Sequence, residues 1–108
     1  MKNIHTREEW NEAIKEEAAV IMFSAGWCPD CRVIEPELPA IEEEYSSFTF
    51  YHLDRDELIE ICQEQGVMGI PSFLTFSKGS ELHRFVSRDR KTPEEIKQFL
   101  DESLKEKA

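Results

Sequence analysis

The stretch Phe23-Ser24-Ala25-Gly26-Trp27-Cys28-Pro29-Asp30-Cys31 decides how the rest of the chain is interpreted. It begins inside an apolar run, Ala19 to Ser24, whose lack of polar alternation predicts a strand buried on both faces. It ends with two cysteines that are three positions apart, at the start of a helical pattern. Such cysteines lie on one helix face and can reach disulfide distance. The stretch therefore predicts a strand, a short loop and a helix that begins with a cysteine pair.

The start of a helix favours a reactive thiol. Unpaired N–H groups and the positive end of the helix dipole stabilise a thiolate at Cys28, and only the thiolate is nucleophilic. Pro29 suits the first helical position, which leaves the N–H groups of Asp30 and Cys31 as donors to the sulfur. The Asp30 carboxylate opposes the thiolate, so we expect a more reducing couple than a strongly oxidising Cys-x-x-Cys pair has.

A lone Cys-x-x-Cys pair also occurs as half of a zinc site. A tetrahedral site needs two further ligands, and the remaining candidates are not paired at ligand spacing: Cys62, His5, His52 and His83. Three cysteines are an odd number, and no apolar leader is visible, so a secreted disulfide scaffold is not indicated. We therefore expect redox chemistry in the reducing cytoplasm, with no bound metal or other cofactor.

Composition narrows the class of protein further. The chain has 108 residues with 40% apolar residues, which suits one domain over residues 1–108 with a real core. Its 23 acids and 13 bases give a net charge of −10, which argues against binding to nucleic acid. The longest apolar run, residues 18–23, is far shorter than the ~20 residues that span a bilayer. We expect a monomer that binds neither nucleic acid nor membrane.

Helix and strand signals alternate along the chain. The predicted strands cover residues 3–5, 19–24, 48–53, 72–77 and 81–86. Helices are predicted to start at the capping residues Thr6, Asp54 or Asp56, and Thr92. Pro36 and Pro39 predict a kink in the helix that follows Cys28. The order β-α-β-α-β-α-β-β-α predicts an α/β fold with a central mixed sheet between two layers of helices.

These residues together resemble the thioredoxin family. The stretch from Phe23 to Cys31, followed by Pro36, is similar to the active-site segment of thioredoxins. Gly66-Val67-Met68-Gly69-Ile70-Pro71-Ser72 is similar to the segment that ends in the family's cis-proline. The resemblance covers essentially the whole chain, and it implies a thioredoxin fold. It also implies a thiol–disulfide oxidoreductase that reduces protein disulfides and receives electrons from an NADPH-dependent thioredoxin reductase.

The resemblance implies roles for seven residues. Cys28 would attack a substrate disulfide, and Cys31 would resolve the mixed disulfide, so that the protein cycles through a Cys28–Cys31 disulfide. Pro71 would be cis and face the sulfurs, while Ile70 would pair its backbone with the substrate. The residues that support the sulfurs or bind substrate would be Trp27, Pro29, Asp30, Ile70 and Pro71.

The buried acid of thioredoxins is replaced in this chain. The family usually carries an aspartate six residues before the first cysteine, where this chain has Met22, and we place Phe50 at the accompanying lysine position. Another group must then take the proton of Cys31, and our hypothesis is Asp30 acting through water. The loss also favours an alternative function, a binding module whose Cys-x-x-Cys redox state gates a partner with little turnover. A third interpretation is glutaredoxin-like reduction of small disulfides.

The loop before the last helix departs from the family as well. Thioredoxins usually have glycine there, whereas this chain reads Val86-Ser87-Arg88-Asp89-Arg90. Under the family fold, Arg88 and Arg90 would border the substrate groove and favour acidic partners. The other interpretation is a set of unrelated charges that face solvent.

Overall fold

A single five-stranded mixed sheet organises the computed structural model, which describes residues 1–107. The strands are β1 (Lys2–Ile4), β2 (Ala19–Ser24), β3 (Thr49–Asp54), β4 (Ser72–Ser77) and β5 (Ser80–Phe85). They lie side by side in the order β1-β3-β2-β4-β5. Strand β3 pairs in parallel with β1 and β2, whereas β4 pairs antiparallel with β2 and β5. The predicted mixed sheet is confirmed.

Within residues 1–107, five α-helices connect and cover the strands. They are α1 (Arg7–Ile14), α2 (Pro29–Ile34), α3 (Leu38–Glu44), α4 (Ile59–Gln65) and α5 (Pro93–Glu106). A 3₁₀ turn, Glu35–Glu37, joins α2 to α3. This turn is the kink that Pro36 and Pro39 predict, because each proline removes a helical N–H donor. With α2 and α3 counted as one kinked helix, the element order is the predicted β-α-β-α-β-α-β-β-α.

The central strand β2 is buried along its whole length, as its apolar run predicts. Its side chains alternate between two apolar clusters, one on each face of the sheet. Ile21 and Phe23 pack on the side of α1 and α4. Val20 and Met22 pack on the side of α2, α3 and α5. The molecule therefore has the three α/β/α layers predicted, and the cysteine pair follows the most buried strand.

The beginning of α4 differs from the sequence prediction. The helix begins at Ile59, with no side-chain cap, and not directly after Asp54 or Asp56. The Asp54 carboxylate instead accepts hydrogen bonds from the N–H groups of Asp56 and Glu57, at 2.8 and 3.2 Å. It thus stabilises a turn before the helix.

The hairpin between β4 and β5 is tighter than predicted. Lys78 and Gly79 both have a left-handed backbone, with φ of 52° and 89°. Two residues in that conformation suffice for a hairpin turn, so Ser80 already belongs to β5. The strand accordingly spans residues 80–85 and not 81–86. No helix within residues 1–107 combines the length and hydropathy needed to cross a membrane.

Candidate active site

The cysteine pair lies where β2 gives way to α2. Cys28 is the N-cap of α2, with an extended backbone, and Pro29 occupies the first helical position as predicted. The sulfur of Cys28 accepts a hydrogen bond from the N–H of Cys31 at 3.2 Å. Of the two donors that the sequence predicts, only Cys31 makes this bond. The helix start therefore positions one N–H donor on the sulfur of Cys28.

Cys31 is fully buried beneath Cys28. Burial raises the pKa of the Cys31 thiol to about 12, and a hydrogen bond to Cys28 and the charge of Glu35 act in the same direction. Glu35 lies one helical turn further along the chain, on the same face. Cys31 is thus protonated at neutral pH, and it must lose that proton before it can act as a nucleophile.

A cis peptide bond joins Ile70 to Pro71, as the family resemblance implies. Both residues are buried. The carbonyl oxygen of Ile70 lies 4.0 Å from the sulfur of Cys28, close enough to accept its S–H. The structure therefore brings the cis-proline segment and the cysteine pair together.

Trp27 is a surface residue, because 58% of it is exposed. Its indole Nε1–H donates to the carboxylate of Asp56 at 2.6 Å. The guanidinium of Arg55 lies 5.5 Å from the centre of the ring. Sequence reasoning missed Arg55 because it lies between two aspartates that look like helix caps, far along the chain from Cys28.

A groove of about 350 Å³ opens beside the cysteine pair. Its lining includes all the predicted site residues except Cys31 and Pro71, which lie beneath the surface, and it adds two arginines. The lining residues are Trp27, Cys28, Pro29, Asp30, Arg55, Met68, Gly69, Ile70 and Arg88. Trp27 and Met68 supply exposed apolar surface there. Cys28 thus lies at the floor of an open groove whose lining is partly apolar.

The arginines of the loop before α5 have different positions. Arg88 lines the groove, as its predicted place at the border requires. Arg90 instead donates from Nε to the carboxylate of Asp30 at 3.0 Å. This ion pair joins the loop to the Cys-x-x-Cys motif.

Strand register identifies the neighbour of Met22. Met22 pairs with His52 across β2 and β3, and Phe50 lies opposite Val20 in the same apolar cluster as Met22. His52 is half-buried, and burial lowers the pKa of its imidazole. Its Nε2 is hydrogen-bonded to the hydroxyl of Ser24. No acid stands at the Met22 position, so the identity of the proton acceptor for Cys31 stays a prediction.

Cys62 does not line the groove. It is fully buried on α4, and burial raises the pKa of its thiol to about 11. Its burial agrees with the prediction of a buried apolar residue. Among residues 1–107, the structure gathers no group of three or more metal-ligand side chains of the His, Cys, Asp or Glu type.

A cysteine pair at a helix start, beside a cis-proline loop and on this sheet, defines the thioredoxin-fold class of thiol–disulfide oxidoreductases. The family model described as Thioredoxin matches residues 2–102. The chain therefore belongs to the thioredoxin family and is a thioredoxin-like oxidoreductase.

Individual relatives agree with this assignment. Thioredoxin H5 of Arabidopsis thaliana is 36% identical over 87 residues, which cover 76% of this chain and 74% of the relative. Thioredoxin-1 of Saccharomyces cerevisiae is 35% identical over 96 residues, covering 88% and 90% of the two chains. The crystal structure of thioredoxin from Trypanosoma brucei brucei superposes with a TM-score of 0.84 at 25% identity, covering 95% of this chain and 89% of that one.

Proposed function

We propose that this protein reduces disulfide bonds of other proteins by dithiol exchange, with Cys28 as nucleophile and Cys31 as resolving thiol. The observation that carries the proposal is the unequal placement of the two sulfurs. Cys28 lines the groove and accepts the Cys31 N–H, whereas Cys31 is fully buried and its pKa is raised to about 12. This difference supports Cys28 as the sulfur that attacks the substrate and Cys31 as the sulfur that acts second.

The reaction transfers two electrons in two exchanges. The thiolate of Cys28 attacks one sulfur of the substrate disulfide; that bond breaks, and the first substrate thiolate leaves and takes up a proton. Cys31 then gives up its proton and attacks the sulfur of Cys28. The mixed disulfide breaks, a Cys28–Cys31 disulfide forms, and the second substrate thiol is released. The substrate is reduced by two electrons, and the protein is oxidised by two.

The remaining side chains would support these exchanges. Pro29 and Asp30 shape the helix start, and Trp27 offers an exposed ring at the edge of the groove. Ile70 and Pro71 would align the backbone of an extended substrate beside Cys28. We further propose that the protein acts as a cytoplasmic monomer without another bound cofactor. An NADPH-dependent thioredoxin reductase would return it to the dithiol form.

A second candidate function is a redox-gated binding module with little turnover. Met22 in place of an acid, together with the raised pKa of Cys31, favours it, because both features slow the second exchange. In that case the protein would bind its partner in one redox state and release it in the other.

Reduction of a disulfide-bonded model protein, coupled to NADPH and thioredoxin reductase, separates the two candidates. Under the proposed function the wild type turns over, Cys28→Ser is inactive, and Cys31→Ser accumulates a covalent mixed disulfide. Cys62→Ala is the matched cysteine control and is expected to retain turnover. A wild type that binds the model protein in one redox state but reduces it only stoichiometrically would support the binding module.

A further inference from the structure

The groove beside Cys28 carries positive charge that no acid of the groove neutralises. Two guanidiniums line it, those of Arg55 and Arg88. Within residues 1–107, the arginines engaged in ion pairs are others: Arg7, Arg84 and Arg90. Arg55 donates only to the backbone carbonyl of Met68, at 3.2 Å, and its Nε has no partner. Both charges are therefore available to a bound segment.

The acids near the groove either form an ion pair or lie outside its lining. Asp30 is the one acid of the lining, and its carboxylate accepts from Arg90. Asp56 follows Arg55 in the chain, but it accepts from the indole of Trp27 and lies outside the lining. Asp89 is also outside the lining. The charged side chains that line the groove are thus the two arginines and Asp30, which is paired with Arg90.

The loop that carries Arg88 is fixed by a buried cation. Lys91 is 2% exposed, and its ammonium group donates to the carbonyl oxygens of Ser87 and Asp89 at 3.1 and 2.8 Å. It also donates to the hydroxyl of Ser87 at 3.0 Å. The backbone of Ser87 and Arg88 packs so closely against Gly69 that no side chain fits between them. The position of Arg88 at the groove is therefore determined by packing and hydrogen bonds.

Arg55 is positioned by contacts of its own. Its bond to the carbonyl of Met68 links the end of β3 to the cis-proline segment, and the Trp27 ring lies 5.5 Å from its guanidinium. Both guanidiniums line the groove, so a segment lying in it meets two positive charges.

We propose that this groove selects disulfides whose flanking residues are acidic, with Arg88 and Arg55 as specificity-determining residues. The inference rests on the proposed reductase function. The net charge of −10 would repel an acidic partner, but the Debye length is only about 8 Å at physiological salt. The distant acids are therefore largely screened, while charges in the groove act on the substrate at contact.

Three disulfide-bonded peptides test the proposal. They share one sequence except at the residues flanking the disulfide, which are Glu, Gln or Lys. Pre-reduced protein is mixed with excess peptide, and the second-order rate of the single turnover is measured at 0.15 M salt. We expect the Glu peptide to react about threefold to tenfold faster than the Lys peptide, and the advantage to shrink at about 1 M salt.

Charge reversal at Arg88 isolates the source of the preference. Arg88→Glu is expected to reverse the order of the Glu and Lys peptides while the Gln peptide changes less. Lys105→Glu, on the exposed surface of α5, makes the same change in net charge and is expected to keep the wild-type order. Arg55→Gln is expected to lower the ratio of the Glu-peptide rate to the Lys-peptide rate. This ratio does not depend on a change in overall rate that is common to both peptides.

The outcomes separate the two proposals. If the wild type reduces all three peptides at equal rates, the selectivity is refuted and the reductase function stands. If Arg88→Glu and Lys105→Glu weaken the preference for the Glu peptide equally, the preference comes from net charge, and the role of the groove is overturned. If no peptide is reduced, the proposed function itself fails.

Discussion

At the scale of single residues, the chemical difficulty of the site is the proton of Cys31. Burial and the neighbouring Cys28 keep that thiol protonated, with a pKa of about 12. Met22 offers no carboxylate on the adjacent strand. Asp30 directly precedes Cys31 in the first turn of α2. Asp30 thus remains our predicted proton acceptor.

Asp30→Asn is expected to slow turnover at least about tenfold and to change its pH profile, because it removes a general base. Arg90→Ala is the matched control, since it removes the ion pair at Asp30 and leaves the carboxylate in place. The measurement is steady-state reduction of a model disulfide between pH 6 and pH 9. A pH profile for Asp30→Asn that coincides with the wild type would rule Asp30 out.

Single residues were predictable from sequence only where a motif names them. Cys28, Pro29 and Pro71 stand in short patterns with a local physical meaning, and the structure places them together. Arg55 and Lys91 belong to no pattern. A guanidinium reaching a groove and a buried ammonium both depend on segments that are distant in sequence, so no local signal reveals them.

At the scale of elements, the critical contact is between the cis-proline segment and the loop before α5. A Cβ built on Gly69 would lie 2.5 Å from the carbonyl oxygen of Ser87 and 2.8 Å from the nitrogen of Arg88. Both neighbours are backbone atoms, so neither can move aside alone. The glycine is required for this close approach, and not for its backbone conformation.

Gly69→Ala is therefore expected to lower the free energy of unfolding by about 1–3 kcal/mol, the usual range for an overpacked site. Gly26→Ala is the control, since a Cβ there meets nothing within 4 Å. Urea denaturation measures both. The disulfide reduction rate of Gly69→Ala should also fall, because Ser87 or Ile70 must shift. Equal stability of the two variants would contradict the close contact.

Elements with a clear start signal were predictable, and those without one were not. Thr92 caps α5 and Glu95 completes the capping box, as the sequence predicts. Asp54, predicted as a cap of α4, instead accepts hydrogen bonds from N–H groups of the turn before that helix. An aspartate side chain can accept such bonds in a turn as well as at a helix start. Identifying His52 as the neighbour of Met22 requires the register of β2 against β3. The alternation of side chains within one strand does not fix that register.

At the scale of the whole molecule, buried thiols make the fold sensitive to alkali. Burial raises the pKa of Cys62 from its ordinary value of 9.0 to about 11. Between those pH values the unfolded chain loses this proton while the folded chain keeps it, so the free energy of unfolding falls as pH rises. Cys31 and Tyr45, with pKa values raised to about 12, act in the same direction.

Cys62→Ala is expected to show a shallower decline in stability between pH 9 and pH 11. The part of the decline that belongs to Cys62 is about 2 kcal/mol, from a shift of two pKa units. Chemical denaturation at pH 7, 9, 10 and 11 measures it, and the pH 7 value corrects for the lost side-chain volume. Parallel pH dependence of the variant and the wild type would contradict the prediction.

The overall architecture was predictable because many weak signals agree. Alternating strands and helices predict the layered sheet, and the apolar run of β2 predicts its central position. The net charge of the molecule does not predict how the charges are distributed over its surface. A total of −10 says nothing of a local groove whose arginines come from two separate loops.

Strand β2 lies at the middle of the sheet, pairs on both edges and is buried throughout. The loop to Cys28 begins at the end of this buried strand. The conformational change needed for contact is therefore expected in the target protein. A disulfide clamped inside a tightly folded target has no route to the sulfur of Cys28. Under the proposed function, bonds on mobile hinges, tails or partly unfolded chains would reach it, so accessibility would select substrates alongside charge.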